Sequence, residues 1–168
     1  MKSFAIAVLV RNQFGVLNRV TSMFRRRQFN IESLNVSETE TKELSRITVI
    51  SAGEEQQKEQ LINQLYKLPD VVSVKQLDDR TCVSREVLLI KVENTPETRR
   101  DILDTAQAFG ATTEDYSRES IMFQLTAKRR MIDEFIELMS DFNILEICRT
   151  GVCTLERGAE VLRPTVNL

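Results

Sequence analysis

Phe4-Ala5-Ile6-Ala7-Val8-Leu9-Val10-Arg11-Asn12-Gln13-Phe14-Gly15-Val16-Leu17-Asn18-Arg19-Val20-Thr21-Ser22-Met23-Phe24 changes its hydrophobic period halfway along, and that change decides the fold. Phe4, Ile6, Val8 and Val10 alternate with Ala5, Ala7 and Leu9, so the first segment is a strand apolar on both faces, as in the centre of a covered sheet. After Gly15, the positions Val16, Leu17, Val20, Met23 and Phe24 follow one helical face, and Arg25-Arg26-Arg27 ends the helix where cations suit its dipole. The glycine turn between strand and helix gathers free backbone N–H groups and the positive end of a helix dipole, which suits a small carboxylate.

The same two periods recur along the chain. Asn30 to Glu38 and Leu44 to Ser51 are strand-like and are joined by the polar turn 39–43 as a hairpin. Glu54 and Glu55 open a second helix with Leu61, Ile62, Leu65 and Tyr66 on its apolar side, stopped by Pro69, and Val71 to Leu77 is a fourth strand. The order βαββαβ is a ferredoxin-like unit, with both helices on one face of an antiparallel sheet. Its strand order 4-1-3-2 leaves the second strand at an edge.

Asp78 to Arg85 breaks the periodicity, and the order then repeats. Glu86 to Glu93 is a strand, and Thr95 caps a helix that begins at Pro96, buries Ile102, Leu103, Ala106 and Phe109 and ends at Gly110. Ala111 to Tyr116 and Ser120 to Leu125 form a second hairpin. A helix bearing Met131, Phe135, Leu138, Met139 and Phe142 leads to a last strand at Ile144 to Val152. The fold class is therefore α+β with two tandem ferredoxin-like domains, residues 1–78 and 86–158, joined by a linker at 79–85 and followed by a polar tail at 159–168.

Composition narrows the function. The 168 residues are 42% hydrophobic and 29% charged, with 23 basic and 25 acidic side chains and a net charge of −2, so no general field draws the chain to nucleic acid or to an anionic membrane. No apolar run approaches the ~20 residues of a membrane span, and no signal peptide opens the chain. Three cysteines without a C-x-x-C pair, and no histidine at all, argue for reduced thiols in the cytoplasm and against zinc. Lack of histidine also excludes Ser/His/Asp and Cys/His catalysis, and neither Walker nor Rossmann glycine motifs occur. No catalytic residue and no metal ligand is expected. The chain reads as a binding protein.

Two readings of the glycine turn stand side by side on spacing alone. In one, the amides near Gly15, Val16 and Leu17 and the Asn12 side chain hold a free amino acid, and Asn30 completes the site from the same chain or from a neighbour paired along the edge strand. In the other, Asn12 caps a turn, Gly15 supplies backbone freedom and Asn30 ends a helix. The corresponding turn of the second half, Glu93-Asn94-Thr95-Pro96, loses a donor to proline and gains a carboxylate, so only the first half offers an anion site.

Asn12-Gln13-Phe14-Gly15-Val16-Leu17, Phe29-Asn30-Ile31-Glu32-Ser33-Leu34, Leu44-Ser45-Arg46-Ile47-Thr48 and Arg85-Glu86-Val87-Leu88-Leu89-Ile90-Lys91-Val92 together resemble the small regulatory subunit of acetolactate synthase. The resemblance extends to about Gly158. It implies an N-terminal ACT domain that binds a branched-chain amino acid effector, usually valine, at a homodimer interface, with the family's asparagine, glycine and second asparagine falling on Asn12, Gly15 and Asn30. Val16, Leu17 and Ile31 would add apolar walls. It further implies a separate large catalytic subunit that carries thiamine diphosphate, Mg and FAD and condenses two pyruvates to acetolactate; no cofactor is expected in this chain. Gln13-Phe14 departs from the small or acidic residues frequent there in the family. Two rival functions are an amino acid sensor for another pathway and an RNA-binding tandem module. The latter would need aromatics on the central strands, where the first strand offers Phe4 alone.

Overall fold

The computed structural model describes Lys2 to Pro164; the last four residues of the expected tail, 165–168, lie outside the described residues. The elements run β1 (Lys2–Arg11), α1 (Val16–Arg26), β2 (Ile31–Glu38), β3 (Leu44–Gly53), α2 (Glu55–Leu65), β4 (Val71–Leu77), β5 (Cys82–Glu93), α3 (Arg99–Phe109), β6 (Thr112–Tyr116), β7 (Ser120–Ala127), α4 (Arg129–Met139), β8 (Ile144–Arg149) and β9 (Cys153–Glu156). They form an α+β chain of two antiparallel ferredoxin-like sheets, ordered β2-β3-β1-β4 and β6-β7-β5-β8, with β9 added beside β5. Two compact units result, one of residues 1–83 with 151–168 and one of residues 84–150.

In the first unit, Ile6, Val8 and Val10 of β1 and Ile47 and Val49 of β3 pack under Val16, Val20 and Phe24 of α1 and Leu61 and Leu65 of α2. Burial of such side chains contributes about 1.5–3 kcal/mol each against the entropy of ordering the chain. Phe4 turns to this side and meets the ring of Phe29 edge-on at 5.9 Å, so it is no base-stacking platform. The opposite face of β1 explains the strand's double apolarity. Ala5 and Ala7 pack with Leu77 and Cys82, Leu9 packs with Leu44 and Val72, and Leu162 reaches both groups.

The cover on that second face is the returning C-terminal segment. The sequence-expected last strand at 144–152 ends instead at Arg149, and a separate strand begins at Cys153, because Gly151 and Val152 turn against β2. There the Val152 N–H donates to Ser33 Oγ at 3.2 Å. Arg46 donates to the Thr154 carbonyl at 2.8 Å, and Lys75 Nζ sits 2.7 Å from the Glu156 carboxylate. A Cβ on Gly151 would run into the backbone carbonyl of Leu34, so no side chain fits. Gly151→Ala is expected to lower stability by about 1–3 kcal/mol through overpacking against rigid backbone, read as a lower urea midpoint with an unchanged m-value.

The second unit buries Leu88, Ile90 and Val92 of β5 and Ile121, Phe123 and Leu125 of β7 under Ile102, Ala106, Ile132, Phe135 and Met139 of α3 and α4. Two details differ from the sequence expectation. The regular helix α3 starts at Arg99 with Thr98 before it; residues 96–98 run as a turn, across which the Thr95 hydroxyl accepts from the Thr98 N–H and the Thr95 carbonyl from the Arg99 N–H, so Thr95 makes its capping contact ahead of the regular helix. On α4, Ile132, Phe135 and Met139 are the buried row, while Met131 and Leu138 face solvent. Both rows satisfy a helical period, and only packing on the sheet chooses between them.

Candidate functional site

β1 ends at Arg11, whose N–H donates to the Asp70 carbonyl at 2.8 Å, and the next N–H, of Asn12, donates to the Glu43 carbonyl at 2.7 Å. These two bonds fix where the chain leaves the sheet. Gly15 then takes φ +79°, ψ −3° as the residue preceding α1, a left-handed conformation that glycine adopts without a Cβ penalty. No side chain caps the helix, and its first turn carries no acidic residue. Among the described residues the amides of Gly15, Leu17 and Asn18 donate to no acceptor, and that of Val16 reaches the Gln13 carbonyl only at 3.4 Å. Open donors and an uncompensated dipole end coincide at one glycine turn.

The sequence-selected residues divide into two places. Asn12 is exposed, and its Nδ2 donates to Glu38 Oε1 at 3.2 Å and to the Lys42 carbonyl at 3.1 Å, so the turn lies beside the end of β2. Leu17 is 41% exposed next to it, and Phe14 is fully exposed. Val16 is only 4% exposed and packs in the core, so it offers the site its backbone and not a side-chain wall. Asn30 and Ile31 stand at the other end of the sheet. Ile31 and Phe4 both oppose Ser51, whereas Glu38 and Val10 both oppose Ser45. The six-residue step from Phe4 to Val10 separates the two levels by about 20 Å. Ile31 is half-buried against the core, and the Asn30 carbonyl accepts from Ser51 Oγ at 2.7 Å.

One chain therefore does not bring Asn30 to the glycine turn. β2 is the outer strand of its sheet, however, beyond β3. Pairing two β2 edges antiparallel about a twofold axis would set the start of one β2 beside the end of the other, and so beside the other copy's Asn12.

Spacing alone passed over one group. Arg19 Nε donates to Asp70 Oδ2 at 2.7 Å and its NH2 lies 2.6 Å from the same oxygen. Its NH1 comes within 3.3 Å of where a Cβ on Gly15 would stand. The partner is 51 residues away in sequence, out of reach of any local pattern.

The second unit's turn is built differently. Asn94 is buried, its Nδ2 donates to the Ser117 carbonyl, and its Oδ1 accepts from Arg99 Nε at 2.8 Å. That asparagine is spent on structure. Among the described residues no group of three or more His, Cys, Asp or Glu side chains could hold a metal ion, and no helix is long and apolar enough to cross a membrane.

Fold and turn together define a tandem ferredoxin-like protein whose first unit is an ACT domain. Residues 6–73 match the model of the AHAS small subunit-like ACT domain, and residues 85–158 match that of the small subunit of acetolactate synthase. Among similar proteins are an acetolactate synthase small subunit of Bacillus subtilis, 42% identical over 92% of this chain and 91% of that protein, and a probable one of Archaeoglobus fulgidus, 42% identical over 91% and 96%. The crystal structure of the acetolactate synthase small subunit from Thermotoga maritima superimposes with a TM-score of 0.87 at 34% identity, covering 95% of this chain and all of that one. The chain belongs to the acetolactate synthase small-subunit family, whose members are the regulatory and not the catalytic subunit.

Proposed function

We propose that this chain binds and activates a separate, large catalytic subunit in the cytoplasm, and confers feedback inhibition by valine on the conversion of two pyruvates to 2-acetolactate and CO2. Thiamine diphosphate, Mg and FAD would reside in the catalytic partner. The observation that carries the reading is the glycine turn, with open amides, an uncapped helix start and Asn12 beside the end of β2, in a chain that matches the family along both units.

The effector's carboxylate would take the amides of Gly15, Leu17 and Asn18. Its ammonium would face the Asn12 carbonyl oxygen and Glu38, and Leu17 with Ile31 of a second copy would line the side chain. The roughly 20 Å between Asn30 and the turn within one chain favours a homodimer through the edge of β2, because only a second copy completes the residue set. Inhibition follows if valine prefers one arrangement of the paired units, by a coupling of ~1–3 kcal/mol. Leucine and isoleucine would act more weakly, since a methylene mismatch in such a pocket costs about 1–3 kcal/mol. Co-purification with the catalytic subunit, followed by acetolactate assays with and without valine, is expected to yield an activated, valine-sensitive complex. A complex that forms and is activated but ignores valine, leucine and isoleucine would instead support a regulator without this effector.

A further inference from the structure

Arg19 lies one helical turn beyond Gly15, with its own N–H bonded to the Gly15 carbonyl at 3.0 Å. A free arginine at such a place would sample many rotamers. This one is held. Asp70, only 14% exposed against 44% for Arg19, takes the Nε and NH2 edge of the guanidinium at 2.7 and 2.6 Å, and the backbone of the same aspartate anchors the end of β1 through Arg11. Asp70 thus ties the guanidinium to the strand from which the turn departs. NH1 is the nitrogen left over, and it is the one directed at Gly15, 3.3 Å from the position a Cβ would take.

The geometry points to Arg19 as the charged anchor for the carboxylate of the amino acid effector, and to Asp70 as the positioning residue that turns NH1 toward the glycine. This rests on the reading of the turn as the effector site. The ion pair and the ligand use different nitrogens of the planar fork, so Asp70 need not be released for a carboxylate to bind. Arginine is suited to this, because its pre-organised fork loses little entropy per hydrogen bond formed. An amino acid would be told from its amide by this contact, since the amide brings no charge to NH1. Absence of a side chain at Gly15 then has a second reason besides its positive φ: a Cβ would stand where NH1 and the ligand meet.

The test is calorimetric titration of the full chain with L-valine and with L-valinamide, for the native protein and for Arg19→Gln, Arg19→Lys and Asp70→Asn, with thermal unfolding of each variant recorded alongside. Arg19→Gln is expected to weaken valine binding by about 10- to 100-fold, the range for loss of a charge-assisted hydrogen bond, and to leave valinamide binding nearly unchanged, so that discrimination between the two collapses. Arg19→Lys is expected to restore part of that discrimination, and Asp70→Asn to reduce it by a smaller factor. Unchanged valine affinity in Arg19→Gln, or an equal loss for valine and valinamide, overturns the anchor while leaving the effector site in place. Failure of the native chain to bind valine, leucine or isoleucine overturns both.

Discussion

Gly15→Asp is expected to abolish the valine response of the reconstituted enzyme while leaving its activation by this chain intact. Position 15 sits at φ +79°, where an L side chain costs roughly 1–2 kcal/mol, and the new carboxylate would compete with the effector's own for the same amides and for Arg19 NH1. A charge facing the effector's like charge across the turn, added to the strain, is expected to weaken valine by at least ~100-fold, or about 3 kcal/mol. Gly15→Ala separates the contributions, because it carries the strain and a 3.3 Å approach to Arg19 without the charge, and should weaken valine by only about tenfold. The readout is acetolactate formation against valine concentration. Full sensitivity in Gly15→Asp would remove the glycine turn from the effector site.

The largest loss of stability is expected in the second unit, from Arg149→Met. Glu86 has a side chain only 1% exposed, and Arg149 meets it through Nε at 2.8 Å and NH2 at 2.6 Å, while NH1 holds Asp133 at 2.7 Å. Burial works against the charged arginine, but its hydrogen bonds to Glu86 and Asp133 prevail, and its pKa is raised above the ordinary value. Because the folded value lies above the unfolded one, the guanidinium's contribution is fully present below the ordinary arginine range and, on the alkaline side, is lost only as pH rises through the folded value. Removing Arg149 takes its partner from a buried carboxylate at a cost of about 3–5 kcal/mol, a drop in melting temperature on the order of 15 °C or more for a unit of this size. Glu86→Leu combined with Arg149→Met is expected to recover most of it, since neither charge of the pair is then buried without the other. A single variant that melts with the native protein would show that Glu86 reaches water.

Much of this was legible from residue order. Phe4 to Val10 announced a strand covered on both faces, and Leu162 of the returning C-terminal segment packs over the second face. The period change at Gly15 placed the helix start, and the repeat placed the second unit, because strand and helix periods are local properties of the chain. Boundaries were less legible where two local bonds compete. Thr95 makes the hydroxyl contact of a helix cap, accepting from the Thr98 N–H, yet residues 96–98 run as a turn and the regular helix begins only at Arg99. On α4 two apolar rows compete, and burial against β7 and α3 selects Ile132, Phe135 and Met139.

For the candidate site the division is sharper. Asn12, Gly15 and Asn30 could be picked out because their types and the surrounding blocks carry a recognisable chemistry in one dimension. That Asn12 and Asn30 stand at opposite ends of one sheet follows only from strand register, which is set by hydrogen bonding between segments that are not neighbours in sequence. Arg19 likewise looks like any polar residue on the outer face of an amphipathic helix. Its orientation toward Gly15 arises from Asp70 just before β4, a contact that exists only once the sheet has closed. Periodicity and turn chemistry act over a few residues and so settle the elements and their order; charge pairing, register and the choice of buried face act across the assembled sheet, so the positioning of the site is a property of the tertiary fold.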